Sequence, residues 1–169
     1  KISSKIGNNI DEMLPNFCLQ KSGFKLINRD ISSIVNLNKD NFMTSTRAKR
    51  AIKKAISLGV SVEFNADIES FWPIANATYN RHGVKPTHTK DDLIYLIKKF
   101  PERIKISIAK FKNKTVASIL EFKINKLVNC SFYLCQSNEG LQTQALSLLI
   151  SKSIERSKHL GFYFYDLGT

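Results

Sequence analysis

Five side chains in this sequence have the chemistry and the surroundings for moving protons. His82 and His88 bracket Gly83-Val84-Lys85-Pro86-Thr87, a segment whose glycine and proline mark a loop. An imidazole titrates near neutrality unaided, so two of them on a loop at a sheet edge offer a general base or acid where an acceptor can enter. The plainer reading is two histidines facing water. Glu121 shares one parity of a strand-like run with Ala117 and Ile119. If that face is core, the carboxyl needs a partner or a raised pKa and becomes a candidate base; at a strand end it simply faces water. Tyr133, at the parity of Asn129 and Ser131, presents a hydroxyl able to protonate a thiolate or alkoxide leaving group, or else lies on a solvent face. Asp166 closes the last apolar run, placed to orient a substrate or accept a proton, and equally to cap the turn that Leu167-Gly168 implies.

No metal site is expected from these groups. His82 and His88 have no neighbouring cysteine, and Cys130 and Cys135 differ by an odd number along one strand, which points them to opposite faces. A second constellation is electrostatic: Arg47, Lys49, Arg50, Lys53 and Lys54 place five cations in eight residues. They lie off the stripe of Ala48, Ile52, Ala55 and Ile56, so the segment reads as a basic amphipathic helix that Gly59 can end. Such a face suits a phosphate or polyanion, or is only a solvated charge run. Aromatics are not interleaved with the cations, which argues against a stacking platform for single-stranded nucleic acid.

The 169 residues suit one domain with one sizeable core. Lys and Arg exceed Asp and Glu by 26 − 14 = 12, which favours phosphates, nucleic acid or anionic headgroups as partners. No apolar run approaches a membrane span, no signal core precedes a small-residue site, and the 3 cysteines lack framework spacing. A reduced, cytoplasmic protein without a transmembrane segment is expected. The chain opens on Lys1 and closes on Gly168-Thr169, suggesting a piece of a longer protein: residues 1–40 as a lead-in or linker from a preceding domain with one strand, and 41–169 as a domain truncated at its C-terminus.

The elements that must hold these groups follow from patterning. After the basic helix, residues 60–64 alternate as a short strand, and Asp67 stands as N-cap to a helix reaching about Tyr79. Thr89 and Asp92 form a capping box for a second helix ending before Pro101. Strands over 104–111, 115–123 and 127–136 are joined by hairpin-length turns. A long helix marked by Leu146, Leu149, Ile150 and Ile154 ends at Gly161, and 162–166 is a last strand apolar enough to be central.

This order, with Arg47-Ala48-Lys49-Arg50-Ala51-Ile52-Lys53-Lys54-Ala55, His82-Gly83-Val84-Lys85-Pro86-Thr87-His88-Thr89 and Gly161-Phe162-Tyr163-Phe164-Tyr165-Asp166-Leu167-Gly168, resembles the GNAT acyltransferase superfamily. Within it, the chain looks most like the FemAB-like branch, which modifies cell-envelope precursors. The resemblance covers roughly residue 47 onward. It implies an α/β (α+β) fold with a mixed, mostly antiparallel sheet and helices on both faces. It also implies that the third meander strand and the last strand run parallel and splay, the gap accepting the donor's thioester arm.

Donor phosphates in that family rest on amides at the start of the long helix, where free N–H groups and a partial positive charge meet. The resemblance carries that role to Gln136, Ser137, Asn138, Gly140, Gln142 and Thr143. The usual loop has Gln or Arg, two residues, Gly, one residue, and Gly or Ala; here one glycine stands beside Glu139. Acyl-CoA is one implied donor and aminoacyl-tRNA the other, the latter suited to the +12 charge. The implied reaction is N-acyl or aminoacyl transfer to an amine of a cell-envelope sugar or peptidoglycan-type precursor, with His82, His88, Glu121, Tyr133 and Asp166 as candidate catalytic groups. Two other readings stand beside it: a tRNA or polyanion-binding module without catalysis, and a structural half, because FemAB-like proteins pair two such domains.

Overall fold

The computed structural model describes residues 13–25, 27, 31–38 and 45–168. Its elements are α1 (Met13–Lys21), β1 (Ile34–Asn36), α2 (Thr46–Ser57), β2 (Ser61–Phe64), α3 (Ile68–Arg81), α4 (Lys90–Lys99), β3 (Ile104–Phe111), β4 (Lys114–Lys123), β5 (Val128–Gln136), α5 (Asn138–Thr143), α6 (Ala145–His159) and β6 (Phe164–Asp166). They build one six-stranded sheet in the order β1-β6-β5-β4-β3-β2, antiparallel except for β5 with β6. Among the described residues, no helix is long and apolar enough to cross a membrane.

Local chemistry explains the boundaries. Asp67 accepts from the Ser70 N–H at 2.7 Å to start α3, and Thr89 with Asp92 closes a reciprocal capping box at α4. Lys112 and Asn113 both take positive φ, the two-residue hairpin geometry whose twist matches the flanking strands. The meander strands and the apolar β6, seated between β1 and β5, agree with the patterning. The strand in the lead-in segment is β1, preceded by the helix α1; the apolar stretch at 24–27 lies partly outside the described residues.

The sheet is covered on both faces. Under α3 and α4, Phe71, Ile74 and Leu93 meet Ile104, Ile106, Ile108, Leu120, Tyr133 and Cys135. Under α2 and α6, Ala55, Leu148 and Leu149 meet Ala109, Val116, Ala117 and Ile119. A smaller cluster of Leu37, Ile154, Phe162 and Tyr165 closes the β6 end.

Three expectations change. Ile56 is 57% exposed, so the buried stripe of α2 is narrower than its periodicity implies. The long helix is two: Gln144 takes the left-handed conformation at φ 59 and separates α5 from α6. Most consequential is a bulge. Leu120 pairs with Tyr133 but Glu121 with Ser131, so Phe132 is an extra residue and side-chain parity along β5 reverses there. Tyr133 therefore faces α3 rather than the side of Asn129 and Ser131. For the same reason Cys130, opposite Phe122, and Cys135 share a face instead of opposing.

Candidate functional site: a cleft between β5 and β6

β5 and β6 run parallel for three residue pairs, Val128↔Phe164, Asn129↔Tyr165 and Cys130↔Asp166. There β6 ends while β5 continues to Gln136, so residues 131–136 have no ladder partner on that side among the described residues. The base of the cleft is tied by Ser131 Oγ donating to the Asp166 carbonyl at 3.2 Å. Asp166 itself caps the turn: its Oδ1 accepts from Gly168 N–H at 2.9 Å and from Ser32 Oγ.

The loop between α3 and α4 brings His88 to this part of β5. Its backbone N–H donates to the Tyr133 hydroxyl at 3.0 Å, and its Nδ1 lies 2.9 Å from the same oxygen. The imidazole is half-buried edge-on among Phe122, Phe132 and Tyr133, with centroids at 6.4, 5.5 and 6.0 Å. Tyr133 is 1% exposed and packs against Phe71 and Tyr79, both at 5.8 Å. Burial pushes its phenol above the ordinary range, opposed by the bond from the His88 amide, so the hydroxyl stays protonated. Two of the five candidates thus form one unit. The bulge puts Phe132 beside it, a contact invisible in sequence because strict alternation sends 132 to the other face.

The remaining candidates lie apart. His82 is exposed at the C-cap of α3, outside the His88–Tyr133 pair. Glu121 is 3% exposed on the opposite face of the sheet, under α6. There Tyr165 donates to it at 2.8 Å and Asn129 Nδ2 at 3.1 Å, and Asn129 reaches Ser157 Oγ at 3.0 Å. Desolvation raises the Glu121 carboxyl to about 7, partly opposed by the Tyr165 bond, the Arg156 charge and the Asn129 bond. Burial likewise drives the Tyr165 phenol upward, reinforced by Glu121.

At the open end of the cleft, Ser137 caps α5, accepting from Gly140 N–H at 3.1 Å. Its own N–H and Oγ donate to the carbonyl of Val116, the residue left out of the β3–β4 register at the bulge between Ala109 and Lys110. Gly140 is required by this approach, since a Cβ there would sit 2.2 Å from Val116 O. Thr143 is buried and bonds back to Glu139 O at 2.8 Å, whereas Asn138 and Gln142 are exposed. Arg81 donates to Asn138 Oδ1 at 3.2 Å and to the Gln136 carbonyl at 3.3 Å, setting a cation at the mouth. Its position one residue before His82 gave no signal of that role. Arg47, Lys49, Arg50, Lys53 and Lys54 are all exposed on α2, whose other side packs on α6.

No family model matches the chain, and no curated protein matches it in sequence. Solved structures do match in shape. FemX superposes with a TM-score of 0.70 at 12% identity, over 81% of this chain and 52% of that one. The fold is shared with FemX. L-PGS from Bacillus licheniformis follows at 0.61 and 11%, over 82% of this chain and 46% of that one. An aminoglycoside acetyltransferase from an uncultured soil metagenomic sample, in complex with sisomicin, matches at 0.51 and 15%, over 63% and 75%. The chain spans about half the length of FemX and of L-PGS. The fold it shares with FemX has the mostly antiparallel sheet and two-sided helical cover expected from sequence.

Proposed function

We propose that this chain is an N-acyltransferase domain that moves an acyl or aminoacyl group from acyl-CoA or aminoacyl-tRNA to an amine of a cell-envelope sugar or peptidoglycan-type precursor. One observation carries the reading: the β5 bulge sets His88, Tyr133 and Phe132 together beside the stretch of β5 that lies beyond its three pairs with β6. The fold shared with FemX and an aminoglycoside acetyltransferase supports the same reaction class.

In this mechanism the donor arm lies along the open half of β5, with its phosphates or tRNA end towards Ser137, Asn138, Gln142 and Arg81. Gln136 and Gly140 shape that segment through their backbone, and Thr143 through its hydroxyl. The amine attacks the donor carbonyl, forming the C–N bond, and the thiolate or ribose oxygen leaves. His88 takes the amine proton at Nε2 when Nδ1–H donates to Tyr133; the phenol is a positioning residue that fixes tautomer and ring. His82, Asp166 and Glu121 have no part in the proton path. The cations of α2 add attraction for a polyanionic donor.

The test incubates the chain with acetyl-CoA or aminoacyl-tRNA and peptidoglycan-type amines, following free thiol or deacylated tRNA. Amine-dependent release that falls by about 10²–10⁴-fold in His88→Gln is the expected result. No release from either donor by the unaltered chain would sink the reading and leave the non-catalytic half in its place.

A further inference from the structure

Beyond the cleft, the end of α4, the turn before β3 and the β4–β5 hairpin enclose an open groove of about 350 Å³. Leu96, Ile104 and Phe122 form its inner wall, and Phe100 and Ile124, 42% and 46% exposed, stand at its rim with Arg103, while the Lys123 ammonium lies over the Phe162 ring at 5.7 Å. Residues 94–104 and 122–127 around it carry Lys98, Lys99, Arg103, Lys123 and Lys126 against one carboxylate, Glu102. Lys99 Nζ sits over the rings of Tyr95 and Phe100 at 5.4 and 5.7 Å. Exposed apolar side chains ringed by cations are how interfacial proteins meet an anionic surface.

Chemistry narrows the occupant. The backbone at the groove is already paired, Lys123 N–H to Arg103 O at 2.7 Å and Ile124 N–H to Val128 O at 3.0 Å, so an extended peptide finds no ladder to join. A second copy would set this excess of cations against itself. An apolar chain with an anionic head satisfies both the walls and the rim. We propose that this face docks on an anionic phospholipid bilayer, with Phe100 and Ile124 among the acyl chains and the surrounding cations at the headgroups. The proposal stands apart from the transferase reading, since docking requires no turnover.

The test is co-sedimentation with vesicles of phosphatidylcholine alone or mixed with phosphatidylglycerol. The chain should bind only the mixed vesicles. Arg103→Ser with Lys126→Ser should weaken binding about 30-fold, from about 1 kcal/mol per cation near the surface. Phe100→Ser with Ile124→Ser should remove the part that survives high salt, with melting temperatures unchanged to show folding. Equal loss from Lys53→Ser with Lys54→Ser on α2 would overturn the proposal as unspecific charge attraction. So would binding to neither vesicle, or concentration-dependent self-association abolished by Phe100→Ser.

Discussion

Glu121 and His88 were equal candidates by residue type, yet the fold gives them different physics. The Glu121 carboxyl, raised from 4.5 to about 7 chiefly by burial, is held neutral below neutrality by its surroundings. A folded-state pKa above the unfolded one means stability is full below about 4.5 and declines as pH rises through 7. The decline should total about 3 kcal/mol. Glu121→Gln, which keeps an acceptor for Tyr165 and Asn129, should abolish that decline in denaturant titrations between pH 5 and pH 8. At the other face, Tyr133→Phe keeps the ring but leaves the His88 ring without its anchor. Unfolding free energy should fall by about 1 kcal/mol. Turnover should fall tenfold or more with a displaced pH profile, which a merely structural tyrosine would not produce.

Among elements, those set by local chemistry were legible: caps at Asp67 and Thr89, the Lys112–Asn113 turn, the meander and the apolar β6. What escaped the sequence was non-local. The bulge at Phe132 is decided by pairing with β4, and no propensity announces it, so parity gave Tyr133 and the cysteines the wrong faces. The break at Gln144 escaped because a non-glycine in the left-handed region has no strong signature. Gly140, read as a phosphate-loop glycine, also has a packing requirement that the sequence did not announce, set by the Val116 carbonyl. Gly140→Ala should therefore lower the melting temperature by roughly 4–8 °C even with no donor present, because backbone has to move.

For the whole molecule, net charge +12 is unevenly used. The α2 cations project from one helix and are not among the ion pairs of the described residues, which join Lys90, Lys110 and Lys152 to Glu69, Glu63 and Glu155. If tRNA is the donor, Lys53→Ala with Lys54→Ala should lower the slope of log affinity against log salt by roughly 1.4–1.8. The slope should not change for acetyl-CoA if its phosphates reach only Arg81 and α5.

β6 lies between β1 and β5, so residues 34–36 bond to a strand that is 130 positions later in the chain. Contacts of such separation are slow to form, because the loop-closure entropy must be met before any contact rewards it. During folding, β2 to β5 can assemble as a self-sufficient meander, while β1 has no partner until β6 is seated. The strand nearest the beginning of the fold is thus the last to be completed. In native-state hydrogen exchange, the β1 and β6 amides should open together and well before those of β4, marking the cleft wall as a separate cooperative unit.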